Sequence, residues 1–199
     1  SEDFNEWIRE RYYEGERFVP PMIQERIEDI KQRAGSVDNL QAVRPLEKSA
    51  NIFKRIAQRL EKQNPMFEAL REHIKNGRKD GLRVAIFSES PKHAEILRYS
   101  LLKREVVTQD ELDSATISVV SPDEARWIDP KDVLVVCGVL HKENAGFYLH
   151  PRVGKTVVLT YDRPWATLVE RHAREFVDTL KGVVAGSDPA TDLEIDIVT

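Results

Sequence analysis

Three sets of residues in this chain could do chemistry by their types and spacing. The first is Gly154-Lys155-Thr156. A phosphate-binding loop of that kind reads Gly-x-x-x-x-Gly-Lys-Ser/Thr, follows a strand and opens a helix, so that free backbone amides cradle the phosphates. Here Leu149 stands at the first glycine position and the apolar run Val157-Val158-Leu159 comes after the tripeptide. The tripeptide therefore reads as a polar turn before a strand. No Gly-rich dinucleotide fingerprint accompanies it, so neither an ATP site nor any other cofactor site is expected in this chain alone.

The second set is acidic. Glu194 and Asp196 are two apart and share one face of a possible strand. With Asp132 they could hold a divalent cation, as in a metal-dependent nuclease or phosphatase. The competing reading is an acidic edge strand that resists pairing with other chains. The histidines, His73, His93, His141, His150 and His172, have no zinc-ligand spacing beyond a loose Cys137–His141 pair. No metal is expected. Cys137 ends the run Val133-Leu134-Val135-Val136 and reads as a small buried hydrophobe.

The third set is basic. Residues 44–79 hold ten Lys/Arg against four Asp/Glu, a local net of +6 inside a chain whose total is -4. The total argues against a uniformly basic nucleic-acid binder but leaves a local patch open. Lys54, Arg55, Arg59 and Lys62 fall on polar helix positions near Arg71, Lys75, Arg78 and Lys79. Such a cluster could follow a DNA backbone without reading bases. An acidic protein surface would fit it too, and so would plain solvation.

These groups need elements to position them. Residues 1–80 read as helix. Phe4, Trp7, Ile8 and Tyr12 recur at helical spacing, and Pro20-Pro21 opens a second segment with Ile23, Ile27 and Ile30 on one face. Residues 36–48 read as a linker. Ser49 can cap a third helix, and Asn64-Pro65 can start a fourth that ends at Asn76-Gly77. After Gly81 short apolar strands over 83–88, 116–121, 132–136 and 156–160 alternate with helices, those over 92–104 and 165–180 being the clearest. Strands apolar on both faces imply a parallel sheet covered on both sides, an α/β fold. Glu194–Val198 alternates and is an expected edge strand.

With 199 residues, 41% apolar and 32% charged, the chain suits one domain with a small attachment, and a disordered or disulfide-stapled chain is excluded. No apolar stretch approaches a membrane span, and the start has no signal-peptide pattern. An intracellular protein, cytoplasmic or nuclear, is expected. The aromatic helix around Phe4, Trp7 and Tyr12 is too short to stand alone in water. It must bury its apolar face in the main domain or dock on a protein partner.

From residue 64 onward the order of pieces resembles the second RecA-like domain of superfamily 2 helicases, above all the Swi2/Snf2-type DNA translocases. Asn64–Leu70 looks like the lead-in helix, Arg83–Ser90 like the first strand and its loop, and Asp132–Val136 like the strand before motif V. Thr160-Tyr161-Asp162-Arg163-Pro164-Trp165 resembles the family's Asn-Tyr-Asp-x-Pro-Trp run. The Gly-Glu-Gly-type loop of motif V is replaced by Cys137-Gly138-Val139-Leu140-His141. Motif VI lacks its glycine at Ala173-Arg174, and Val177 stands where a second Arg is required.

The resemblance implies a RecA-like lobe over 64–199 behind a helical extension over 1–63, without the Walker-bearing first lobe. No ATPase is then expected from the chain by itself. A separate lobe or partner protein would complete a motor, or the domain is a catalytically dead derivative. Arg171 and Arg174, three apart on one helix face, are the candidates for an arginine finger. Ser88, Ser90 and Lys92 at the first strand's carboxyl end could hold a backbone phosphate, opposed by Glu89 and by the ordinary role of a helix cap. The expected function is a non-catalytic or half-motor module that binds DNA backbone or a protein partner. Its rivals are a pure protein-interaction scaffold and the metal-dependent hydrolase.

Overall fold

A computed structural model describes residues 23–36, 40–183 and 194–199. The chain divides into two compact units, at Pro65/Met66. In the first, α1 (Ile23–Gly35) packs on α2 (Leu40–Lys62). Ile27, Ala34 and Ala50 are buried there.

The helix α2 overturns the expected linker over 36–48. Leu40 to Ser49 are helical and continuous with residues 50–62, and Pro45 lies inside the helix. Proline removes one backbone donor and crowds the preceding turn. The cost falls near the start of α2, where burial of Ala50 and partial burial of Leu46 against α1 oppose it.

The second unit carries a five-stranded, all-parallel sheet in the order β2-β1-β3-β4-β5. The strands are β1 (Val84–Phe87), β2 (Ile117–Val120), β3 (Lys131–Cys137), β4 (Val153–Leu159) and β5 (Glu194–Val198). The helices between them are α4 (Pro91–Lys103), α5 (Gln109–Asp113), α6 (Pro122–Ala125), a run of 3-10 turns over Lys142–Leu149, and α7 (Arg163–Val183). The helix α3 (Pro65–Lys79) precedes the sheet.

Alternation along the strands sends side chains to two cores. Val84 and Ile86 pack with Leu70 and Ile74 of α3 and Ala94 and Leu101 of α4. Ala85 and Phe87 pack on the opposite face with Tyr148, Val169 and Ala173. Both faces are covered, which is why the central strands are apolar throughout. Burying one such Ile or Phe contributes about 1.5–3 kcal/mol. The expected α/β parallel sheet with helices on both sides is therefore the observed architecture, and β5 pairs with β4 at one edge.

The strand β4 begins three residues earlier than expected, so Gly154, Lys155 and Thr156 lie within it. Lys155 pairs in register with Glu194 and Thr156 with Ile195. Gly154 is needed for proximity, because a Cβ there would stand 3.1 Å from the Asp132 carbonyl of β3.

Candidate functional site

The sheet order reverses between β1 and β3, and ligands of open parallel sheets bind at such a point, beyond the strands' carboxyl ends. Two loops meet there. After β1, Ser90 is extended (φ -146, ψ 152) and its Oγ accepts from the His93 N–H at 3.2 Å, with Pro91 opening α4. The hydroxyl is thus engaged as a helix cap. Glu89 Oε1 accepts from the His141 N–H at 2.6 Å, tying this loop to the one after β3.

The second loop is held from two further directions. Gly138 takes φ +95, a left-handed turn that L side chains rarely adopt. The Leu140 N–H donates to the buried Tyr148 hydroxyl at 2.7 Å, and burial pushes that phenol up to about 12. His172 Nδ1 donates to the Leu140 carbonyl at 3.2 Å, since a carbonyl can only accept. The crevice mouth is cross-linked by these hydrogen bonds and carries the Glu89 carboxylate, which works against an anion at Ser88, Ser90 and Lys92. Cys137 sits at the end of β3 with its thiol pushed up to about 12 by burial, an environment that keeps it protonated.

Beyond β4, Asp162 caps α7. Its Oδ1 accepts from the Trp165 N–H at 3.1 Å, and its carbonyl accepts from the Ala166 N–H at 3.2 Å. Tyr161 and Trp165 are half exposed around it. Arg171 and Arg174 lie on the outer face of α7, opposite its buried Val169 and Ala173. Arg171 Nε stands 3.9 Å from Glu175 Oε1.

The structure does not gather the three acids. Asp132 Oδ2 accepts from the Arg83 N–H at 2.7 Å and from its Nε at 3.3 Å, and the backbone bond leads in holding that carboxyl below its ordinary range. Asp196 pairs with Lys155 at 2.6 Å. Among the described residues no group of three His, Cys, Asp or Glu could hold a metal ion.

No family model, curated protein or solved structure matches this chain.

The basic residues separate into two groups. On α3, Arg71 pairs with Glu68 at 2.7 Å and Lys75 with Glu72 at 3.9 Å. Arg78 grips Glu111 through Nε at 2.7 Å and Nη2 at 3.0 Å, and Nη2 also donates to the Val106 carbonyl at 3.0 Å. That guanidinium fastens α3 to the loop and helix α5. Lys79 is exposed at the helix end.

On α2, by contrast, Lys54, Arg55, Arg59 and Lys62 are exposed and make no ion pair among the described residues. At 100° per residue, Arg44, Lys48, Arg55, Arg59 and Lys62 fall within a sector of about 60° and span about 27 Å. Lys54 lies outside that sector. Reading 36–48 as a linker hides Arg44 and Lys48; their i, i+4 spacing is the signal that finds them once the helix is extended. Beside the stripe runs a bare apolar face, with Ile52, Phe53, Ile56 and Leu60 exposed by 36–46%. A cleft of about 330 Å³ there is lined, among the described residues, by Ile52, Arg55, Ile56 and Arg59. The expected partner-docking residues Phe4, Trp7 and Tyr12 lie outside the described residues.

Proposed function

We propose that this chain is a non-catalytic, helicase-like module that binds DNA through its phosphate backbone, using the basic stripe of α2. The observation that carries the reading is the contrast between the two helices. Three cations of α3 are held by carboxylates of their own unit, whereas the five of the α2 stripe make no ion pair among the described residues. Guanidinium and ammonium groups along about 27 Å of helix can neutralise successive phosphates and release their counterions. No contact to a base edge is needed, so affinity should be insensitive to sequence.

The absence of turnover is argued from local chemistry. Gly154-Lys155-Thr156 is committed to strand pairing and offers no row of free amides to a triphosphate. Any nucleotide hydrolysis would require a Walker-bearing lobe from elsewhere, to which Arg171 or Arg174 could be presented.

The test is fluorescence anisotropy with labelled duplexes of unrelated sequence at low salt. Equal binding to each duplex is expected, with a large loss in Arg55→Glu/Arg59→Glu. Absence of binding at low salt, or full affinity in the double variant, would contradict the reading. A pure protein scaffold is the second reading, favoured by the bare apolar face beside the stripe.

A further inference from the structure

The apolar face of α2 is the feature that this function leaves unused. Around the helix axis the side chains of α2 fall into three neighbouring sectors. Arg44, Lys48, Arg55, Arg59 and Lys62 share the first, about 60° wide. Ile52, Ile56, Leu60 and Phe53 fill the next, about 100° wide, and all four are exposed. The buried or half-buried Val43, Leu46, Ala50 and Ala57 follow. The exposed apolar strip is thus bordered by cations along one edge only.

We infer that this strip docks an amphipathic helix of a protein partner, one that carries Asp and Glu along one edge of its apolar face. Shape and charge both select that occupant. The strip runs about 12 Å from Ile52 to Leu60 and is about 9 Å across at a radius of about 5 Å. Packed helices stand about 8–10 Å apart, so this is the width that one helix covers. Ile52, Ile56 and Leu60 form one ridge of every fourth residue, and Arg55 and Arg59 form the next. The groove between them has an aliphatic wall and a cationic wall.

A helix seated in that groove must present apolar side chains to the first wall and carboxylates to the second. Arg55, Arg59 and Lys62 make no ion pair among the described residues, so they are available to such carboxylates. A second α2 packed antiparallel would set cation edge against cation edge. Anionic lipid would satisfy the cations, but the helix-sized width and the single charged edge favour a helix. The inference stands whether or not the stripe also binds DNA, because phosphates need the cations alone and the helix needs both walls.

A designed peptide tests it on the full chain. The probe is a labelled amphipathic helix of about five turns, with Leu at i, i+4, i+7 and i+11 and Glu along one edge. Its counterpart with Lys along that edge and a scrambled peptide of the same composition are the controls. Fluorescence anisotropy should show saturable binding of the Glu-edged peptide and at least about tenfold weaker binding of both controls. Phe53→Ser/Ile56→Ser should weaken the Glu-edged peptide at least about tenfold, with far-ultraviolet circular dichroism and duplex affinity unchanged. Arg55→Glu/Arg59→Glu should weaken it as much. No saturable binding would overturn the inference, as would equal binding of either control or affinity indifferent to Phe53→Ser/Ile56→Ser. So would a dimer of the chain that Phe53→Ser/Ile56→Ser dissociates in sedimentation, or tighter binding to phosphatidylserine vesicles that the same variant abolishes.

Discussion

Glu89 and His141, 52 residues apart in sequence, are joined by a 2.6 Å hydrogen bond from the His141 backbone N–H to the Glu89 carboxylate. It bridges the loops after β1 and β3 across the point where the sheet order reverses. An ionised acceptor makes the bond stronger than a neutral one. Glu89→Ala should cost about 1–2 kcal/mol in chemical denaturation. It should also speed amide hydrogen exchange over 138–141. Unchanged exchange there would show that Tyr148 and His172 hold the loop without Glu89.

The Arg78–Glu111 clamp separates stability from binding. Arg78→Ala removes two bonds to a carboxylate and one to the Val106 carbonyl. We expect a loss of about 1.5–3 kcal/mol for a hydrogen bond to a charged group, with duplex affinity nearly unchanged. Arg55→Glu/Arg59→Glu should do the reverse. The Arg78 hydrogen bonds hold the Glu111 carboxyl below its ordinary 4.5 against the opposing effect of burial. Its contribution is therefore present above pH 4.5 and lost as pH falls through the depressed value. A denaturation series over that range in wild type and Arg78→Ala checks the sign.

Much of this organisation could be read from the sequence, and the exceptions have physical causes. The strands β1 and β3 were legible because burial on both faces leaves unbroken apolar runs, Val84–Phe87 and Val133–Cys137. The Ser90 cap was legible because its bond is local, three residues long. The first half of α2 was not, because Pro45 and a polar neighbourhood mimic a linker; what makes it helical is packing on α1, a tertiary effect. Arg44 and Lys48 were lost with it. The start of β4 was hidden because Lys155 is polar yet pairs with Asp196 on the neighbouring strand. The Glu89–His141 bond has no sequence signal, since contacts between distant loops depend on strand order.

His150 gives a pH test. Its Nε2–H donates to the Ala125 carbonyl at 2.9 Å, and its Nδ1 accepts from the Arg152 N–H at 3.2 Å, so the folded ring is neutral. Burial leads in lowering its pKa below 6.5. The unfolded chain then takes up the proton first, and stability falls as pH drops below 6.5. Ring-nitrogen NMR should show the Nε2–H tautomer persisting under those conditions. Titration of His150 at or above 6.5 would count against the arrangement.

Glu105 closes α4 in a left-handed conformation, φ 54. The Val106 N–H reaches the Leu101 carbonyl and the Glu105 N–H that of Leu102, both at 2.9 Å, the pattern of a helix end that favours glycine. Glu105→Gly should stabilise the fold by about 1 kcal/mol. A lower melting temperature would mean that chain entropy outweighs the relieved strain.

The most direct test of DNA-backbone binding is the salt dependence of duplex affinity. Five phosphate contacts from the α2 stripe predict a slope of log K against log salt of about -4 to -5. In Arg55→Glu/Arg59→Glu that slope should shrink by about two or more. A wild-type slope near zero, or one that the double variant leaves unchanged, would contradict it.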